Sequence, residues 1–214
     1  MTAPALESDR APWCRRLVIM VKAAAAGRVK TRLARDIGVI RATAFYRHTS
    51  AAVIARLAND ARWQTVLAVT PDSALAEPIW PAAMMRIAQG PGDLGARMRR
   101  VFAVLPPGPA VIVGTDIPAI RNRDIAAAFK TLGDNDVVFG PAPDGGYWLV
   151  GAARRKPCPA AFANVRWSGP DALNDSIASF APLKIATTTT LADVDNGAEY
   201  RNAGSDFGRR VAPA

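Results

Sequence analysis

Cysteine and histidine are scarce in this chain. Its 214 residues include two cysteines, Cys14 and Cys158, and a single histidine, His48. The cysteines form no C-x-x-C pair and no zinc spacing, so no disulfide framework organises the fold and two reduced thiols are expected. His48 falls inside a predicted helix. With no second histidine, and no Ser or Cys that the sequence pattern ties to it, a catalytic triad is unsupported. Long apolar runs are also missing. No stretch approaches the roughly 18 residues of a membrane span. The first apolar stretch, Leu17–Val21, sits between Arg16 and Lys22 and is shorter than a signal-peptide core of about 7–15 residues. These absences lead us to expect a soluble, cytoplasmic protein. Aromatic residues make up only 7% of the chain and do not interleave with the basic ones, as a stacking platform for nucleic acid requires. The Walker pattern G-x-x-x-x-G-K-[ST] is absent.

Half the residues are apolar and 21% are charged, a globular composition of a size for one domain. Lys and Arg number 27 against 18 acids, a formal net charge of +9. The distribution says more than the sum. From Arg10 to Arg35 there are eight basic residues and no acid. A field of that sign draws anions, and small phosphates fit it better than nucleic acid does.

Apolar strand-like and periodic helix-like segments alternate along the chain. Strands are predicted at 17–22, 64–70, 84–89, 110–114, 136–140, 147–152 and 183–188. Helices are predicted at 31–36, 40–59, 94–105 (capped by Asp93), 123–132 and 170–180. Residues 1–14 read as a frayed N-terminus, 15–204 as one domain and 205–214 as a tail. Strands separated by helices imply right-handed crossovers, hence a mainly parallel sheet with helices on both faces. Ligands of such sheets bind outside the carboxyl ends of the strands.

The residues that follow each strand are therefore the ones to read. After the first strand comes Ala23 to Leu33. Small residues Ala26 and Gly27 let the backbone approach a ligand, and Arg28, Lys30 and Arg32 place three cations within five residues. A polyphosphate needs such neutralisation before an oxygen can attack phosphorus; the same spacing also suits a solvated basic helix start. Asp116 ends the strand 110–114. A carboxylate there suits Mg²⁺, which prefers one or two carboxylates plus phosphate and water, although it also suits a turn. The loop Pro141-Ala142-Pro143-Asp144-Gly145-Gly146 offers one acid and bare N–H groups between two strands, for an acceptor's phosphate or hydroxyls; Asp-Gly is equally a hairpin signal. Asp193 and Asp195 alternate with Val194, so an extended backbone puts both acids on one side. They either complete a metal site with Asp116 or cap a helix near 196–200.

Six motifs in this order resemble one bacterial group: GRVKTRL (27–33), QGPGDLGARM (89–98), GTDIP (114–118), GPAPDGGYWLVG (140–151), FANVRWS (162–168) and DVD (193–195). The chain resembles the rSAM/selenodomain-associated transferases, relatives of 2-phospholactate guanylyltransferase within the nucleotide-diphospho-sugar transferase (GT-A) superfamily. The resemblance covers about residues 17–200. It departs from that group where Ala23–Ala26 replaces a proline-bearing loop, at Gly169, and after Asp195. It implies a single GT-A, Rossmann-like α/β domain. A nucleotide, either an NTP or a nucleotide-sugar, lies on the first loop, and Mg²⁺ or Mn²⁺ on Asp116 with Asp193 and Asp195. Gln89, Gly90 and Gly95 then border the nucleotide, while Asp144, Gly145, Gly146, Trp167 and Ser168 border a small-molecule acceptor. Lys30, Arg28, Arg32 and Asp116 carry the catalysis. Gln89, Gly90 and Gly95 read equally as loop and helix start, and Trp167–Ser168 as core and cap. Three activities fit: nucleotidyl transfer to a phosphorylated or carboxylated acceptor, glycosyl transfer with Asp144 as base, or nucleotide binding by a regulator without turnover.

Overall fold

The computed structural model describes residues 13–208. One seven-stranded sheet forms the middle layer. Its strands are β1 (Arg16–Lys22), β2 (Gln64–Thr70), β3 (Met85–Ala88), β4 (Ala110–Val113), β5 (Val137–Pro141), β6 (Tyr147–Ala152) and β7 (Ile185–Thr187). They lie in the order β3-β2-β1-β4-β6-β5-β7. Every pairing is parallel except the two made by β6, which runs against β4 and β5. The sheet is mainly parallel, as the alternation of elements implied. The exception arises because β5 and β6 are joined by a tight hairpin, which reverses the second strand.

Among the described residues six α-helices accompany the sheet: α1 (Thr31–Ile37), α2 (Val39–Ala58), α3 (Leu94–Val104), α4 (Asn122–Thr131), α5 (Ala172–Ser179) and α6 (Gly197–Gly208). Helix α6 runs through residues 205–208, which the sequence placed in a tail. The proposed flexible N-terminus lies mostly outside the described residues, as do 209–214. Consecutive residues Leu17, Val18 and Ile19 are all fully buried, because a central parallel strand is covered on both faces. Leu17, Ile19 and Val21 meet Val53 and Leu57 of α2 and Ile125 and Phe129 of α4. Val18, Val66 and Ala68 meet Met98 and Val101 of α3 and, through Phe139, the α5 side. The helices thus cover both faces. Among the described residues no helix is long and apolar enough to cross a membrane.

A third, small cluster matters more for the site. Leu33 of α1, Ala42 of α2 and Val194 are buried together, with Phe45 and Tyr200 edge to face at 5.3 Å beside them. Val194 points into this cluster. Alternation along the chain then turns Asp193 and Asp195 the other way.

Candidate active site

Strand β1 ends at Lys22, and the loop that follows returns through buried Val29 to Lys30. Lys30 is the N-terminal flanking residue of α1 and has φ 45 and ψ 49. A left-handed backbone at a non-glycine residue costs about 1–3 kcal/mol and persists only where surroundings enforce it. Its side chain supplies the reason. Lys30 Nζ lies 2.6 Å from Asp195 Oδ1, 3.1 Å from Asp116 Oδ2 and 3.7 Å from Asp193 Oδ2, and the side chain is only 5% exposed. Burial alone would lower the Lys30 pKa, but Asp116, Asp195 and Asp193 together hold it above its ordinary value, so the ammonium stays charged. Arg32 Nη1 adds a contact to Asp195 Oδ2 at 3.3 Å. Residues separated by 86 and 165 positions thus meet at one point.

The acids are held from behind. Asp116 follows β4 through Thr115, whose buried Oγ1 accepts a hydrogen bond from Ser50 Oγ of α2 at 2.9 Å. Helix α6 is capped by Asn196, whose Oδ1 accepts from the N–H groups of Ala198 and Glu199; Glu199 Oε2 accepts in return from the N–H groups of Asp195 and Asn196. The capping alternative for Asp193 and Asp195 is thereby answered: the cap is Asn196, and both aspartates face Lys30. Burial, then Asp195, push Asp193 up to about 6 against the pull of Lys30. Asp116 and Asp144 add to the push.

Carboxylate oxygens of Asp116, Asp193 and Asp195 lie within 4.8 Å of one another. Three hard oxygen donors fit a divalent cation such as Mg²⁺ or Mn²⁺, and the ammonium already among them shows that the cluster draws positive charge.

Two adjoining cavities open here. The smaller, about 270 Å³, is lined by Lys22, Arg28, Lys30 and Arg32 with Asp116 and Asp195. The larger, about 370 Å³, runs along the carboxyl ends of the strands past Thr70, Gln89 and Gly114 to Asp144, Gly146 and Trp148, with Asp116 and Asp193 at its mouth. Lys22, Tyr46 and Asp116 border both. Charge is therefore divided: cations crowd the small cavity, and the large one is mostly uncharged with acids at its edge. Gln89 is buried, and its Nε2 donates to Val21 O at 3.1 Å and Ala68 O at 2.7 Å. Two carbonyl partners fix that atom as nitrogen, which leaves the amide oxygen as the acceptor this residue can offer.

Not every expected residue lines the cavities. Ala26 and Gly27 are exposed and line neither cavity. The N–H of Gly90 donates to Asp72 Oδ1. Gly95 lies under Trp167 and Phe162, where a Cβ would come within 2.7 Å of the indole. Gly95 and Trp167 therefore pack against each other, and neither lines these two cavities. Ser168, with φ 65, is exposed and also lines neither cavity. The loop 141–146 is indeed a hairpin, with a register shift at Gly140/Pro141; its acid still faces the large cavity. Asp144 Oδ1 accepts from Gly146 N–H at 2.9 Å. Gly145 does not line the cavity but braces it. Its φ is 85, a Cβ would run into the main chain of Pro170, and its carbonyl accepts from Leu173 N–H. Gly145→Ala is expected to cost about 2 kcal/mol, a fall of about 4–8 °C in melting temperature for a chain of this size, readable in a calorimeter. An unchanged melting point would show that the loop does not need this brace.

Tyr46 and Ser50 were not anticipated. Tyr46 Oη accepts from Lys22 N–H at 2.9 Å. The two stand four apart on α2, a spacing that puts them on one face, and that is the only signal the sequence offered.

Residues 53–169 match a family model described as an uncharacterized protein conserved in bacteria, DUF2064. The chain belongs to this family. The matched segment holds Asp116, Gln89 and Asp144 but stops short of Lys30, Asp193 and Asp195, so their membership of the site rests on geometry. Among solved structures, the chain is similar to a proposed nucleotide-diphospho-sugar transferase from Desulfovibrio desulfuricans G20, with 29% identity, a TM-score of 0.79, and coverage of 92% of this chain and 90% of that one. It shares its fold with a CMP:2-keto-3-deoxy-manno-octonic acid synthetase solved with CTP (13% identity, TM-score 0.58, 92% and 100% covered). It also shares it with Rv0371c of Mycobacterium tuberculosis H37Rv, solved with manganese (15%, 0.50, 89% and 97%). No curated protein matches the chain. This DUF2064 protein therefore has the fold of nucleotide-using transferases, as the motif resemblance implied.

Proposed function

We propose that this protein is a metal-dependent nucleotidyltransferase, joining an NTP to a small phosphorylated or carboxylated acceptor with release of pyrophosphate. The observation that carries this reading is the convergence of Lys30 with Asp116, Asp193 and Asp195 between a cationic cavity and a mostly uncharged one. The polyphosphate lies in the small cavity, where Arg28, Lys30 and Arg32 neutralise it. The nucleoside enters the large one and meets the fixed amide oxygen of Gln89. A bound divalent cation would polarise phosphate oxygens, held by Asp116 with Asp193 or Asp195. Lys30 and the two arginines stabilise charge on the departing pyrophosphate. Lys22, bordering both cavities, meets the acceptor's anionic group. Positioning and fixed charge account for the rate without a covalent intermediate.

Asp144 favours a second reading, glycosyl transfer. One of its oxygens is tied to Gly146 N–H, and its charge is felt by Asp193. A carboxylate there suits removal of a proton from a hydroxyl acceptor.

Incubation with each NTP, Mg²⁺ and a pool of phosphorylated and carboxylated metabolites should release pyrophosphate. Sugar transfer from a UDP- or GDP-sugar without pyrophosphate release would replace the first reading with the second. Nucleotide binding without either product would overturn both.

Metal binding should depend on pH. Asp193 must lose its proton to act as a ligand, so Mn²⁺ affinity falls as pH drops through about 6. Because the folded pKa of Asp193 is raised above 3.8, its contribution to stability is present at low pH and is lost as pH rises from about 4 through about 6. Melting curves taken with EDTA should fall across that window, and Mn²⁺ should reverse the fall above it. A metal-induced shift that is the same at pH 5 and pH 7.5 would contradict this.

A further inference from the structure

A separate cavity of about 670 Å³ opens at the opposite edge of the sheet, between α3 and the segment that links β6 to α5. It shares no lining residue with the two cavities around Asp116. Its floor is aromatic. Phe162 and Phe180 are buried and meet edge to face with centroids 4.9 Å apart, and half-buried Phe102 of α3 lies beside them.

Its rim is cationic: Arg99, Arg154, Arg155 and Lys156 border it, against one acid, Asp136. Lys156 pairs with that acid at 2.9 Å. The guanidinium groups donate to carbonyl oxygens instead: Arg99 to Ala161, Arg154 to Leu105, Pro106 and Gly108, and Arg155 to Leu132 and Gly133. Carbonyl groups satisfy the N–H donors without cancelling the charge. The cavity therefore keeps a positive field over an apolar floor. Burial, and to a lesser degree neighbouring Arg16, pulls the Arg154 pKa below its ordinary value.

The backbone around this cavity is also unusual. Arg154 has φ 58 and Phe162 has φ 61, left-handed conformations that bulky residues rarely adopt. Each is pinned: Arg154 by its three carbonyl contacts, and Phe162 by Ser179 Oγ, which accepts from its N–H at 2.8 Å. Strain of this kind collects at ligand clamps and switches.

We propose that this cavity is a second ligand site, taking a small organic anion in which an apolar ring carries a carboxylate, sulfonate or phosphate. The ring lies on the three phenylalanines, and the negative group meets Arg99 and Arg155 at the rim. The assignment does not depend on the reaction catalysed at Asp116.

The probe is 8-anilinonaphthalene-1-sulfonate, which joins aromatic rings to one sulfonate, titrated into the full chain and followed by fluorescence. One saturable site is expected, and saturating Mg²⁺ with any NTP should not displace the dye. The double variant Arg99→Glu/Arg155→Glu should weaken binding at least about tenfold, a loss of about 1.4 kcal/mol. Ala103→Trp, which puts an indole at the mouth, should abolish it. All three positions are exposed, but the double variant gives up the carbonyl contacts of Arg99 and Arg155, so it should melt a few degrees below the parent, Ala103→Trp should melt near it, and a cooperative melt confirms that each folds. Absence of saturable binding, equal affinity in the double variant, or displacement by nucleotide would each overturn the proposal.

Discussion

Lys30→Met should lower transfer about 10²–10³-fold, the usual cost of losing one fixed donor to developing charge, and should at the same time tighten Mn²⁺ binding. On the proposed function the two effects have opposite signs, because Lys30 would then do two things. Toward a nucleotide it is a cation aimed at phosphate. Toward the acids it occupies the space a metal ion needs, 2.6 to 3.7 Å from all three carboxylates. Methionine has a similar length and no charge, so it removes both roles and leaves the shape. Without metal, three carboxylates are left without this partner. Loss of one partner of a fully buried pair costs about 3–5 kcal/mol, but these carboxylates are 27–38% exposed and water screens them. A loss of about 1–2 kcal/mol is therefore expected, recovered on adding Mn²⁺. Steady-state rates and a calorimetric Mn²⁺ titration separate the effects. Weaker Mn²⁺ binding in the variant would show that Lys30 supports the metal ligands rather than competing with the ion.

Much of this site could be read from the chain because its parts follow strands. Short apolar runs such as 17–22 and 110–114 between polar segments read as buried strands, and the residues after such strands emerge at one edge of a parallel sheet. Lys30, Asp116 and Asp144 were found that way. Asp193 and Asp195 came from alternation around Val194. That neither of them caps α6 needed the structure, because it turns on whether Asn196 or an aspartate reaches the first N–H groups of that helix. The insertion of β6 between β4 and β5 was not legible either, since a hairpin fixes that two strands are antiparallel but not which third strand lies beside them.

Packing was harder to read than chemistry. Gly95 and Trp167 sit in motifs that look like ligand contacts, yet a glycine that makes room for an indole leaves the same letter as one that makes room for a nucleotide. Tyr46 and Ser50 failed to stand out for the converse reason. On a long helix, polar residues four apart are common, and only the position of Lys22 and Thr115 across from them gives these two a task. The aromatic and cationic residues of the distal cavity come from α3, the 153–162 segment and the end of α5, so no single stretch of sequence carried their pattern.

Asp116→Asn tests the proposed metal site with the least disturbance of shape. Turnover should fall about 10²–10⁴-fold, in line with losing several kcal/mol of charge stabilisation by a metal ion. Stability should not fall with it. Asp116 is one of four acids in the neighbourhood, with Asp144, Asp193 and Asp195, and its charge is among those that raise Asp193. Neutralising it relieves that repulsion, so the Asp193 pKa should drop below about 6 while Lys30 keeps Asp195 at 2.6 Å. The variant should therefore melt within a few degrees of the parent in EDTA, yet show little of the parent's rise with Mn²⁺, because a ligand stabilises only in proportion to its affinity for the folded state. A variant that melts much lower in EDTA would mark Asp116 as a structural partner of Lys30. One that melts normally, keeps its Mn²⁺ shift and still loses turnover would place the metal on Asp193 and Asp195 alone, with Asp116 acting on the substrate directly.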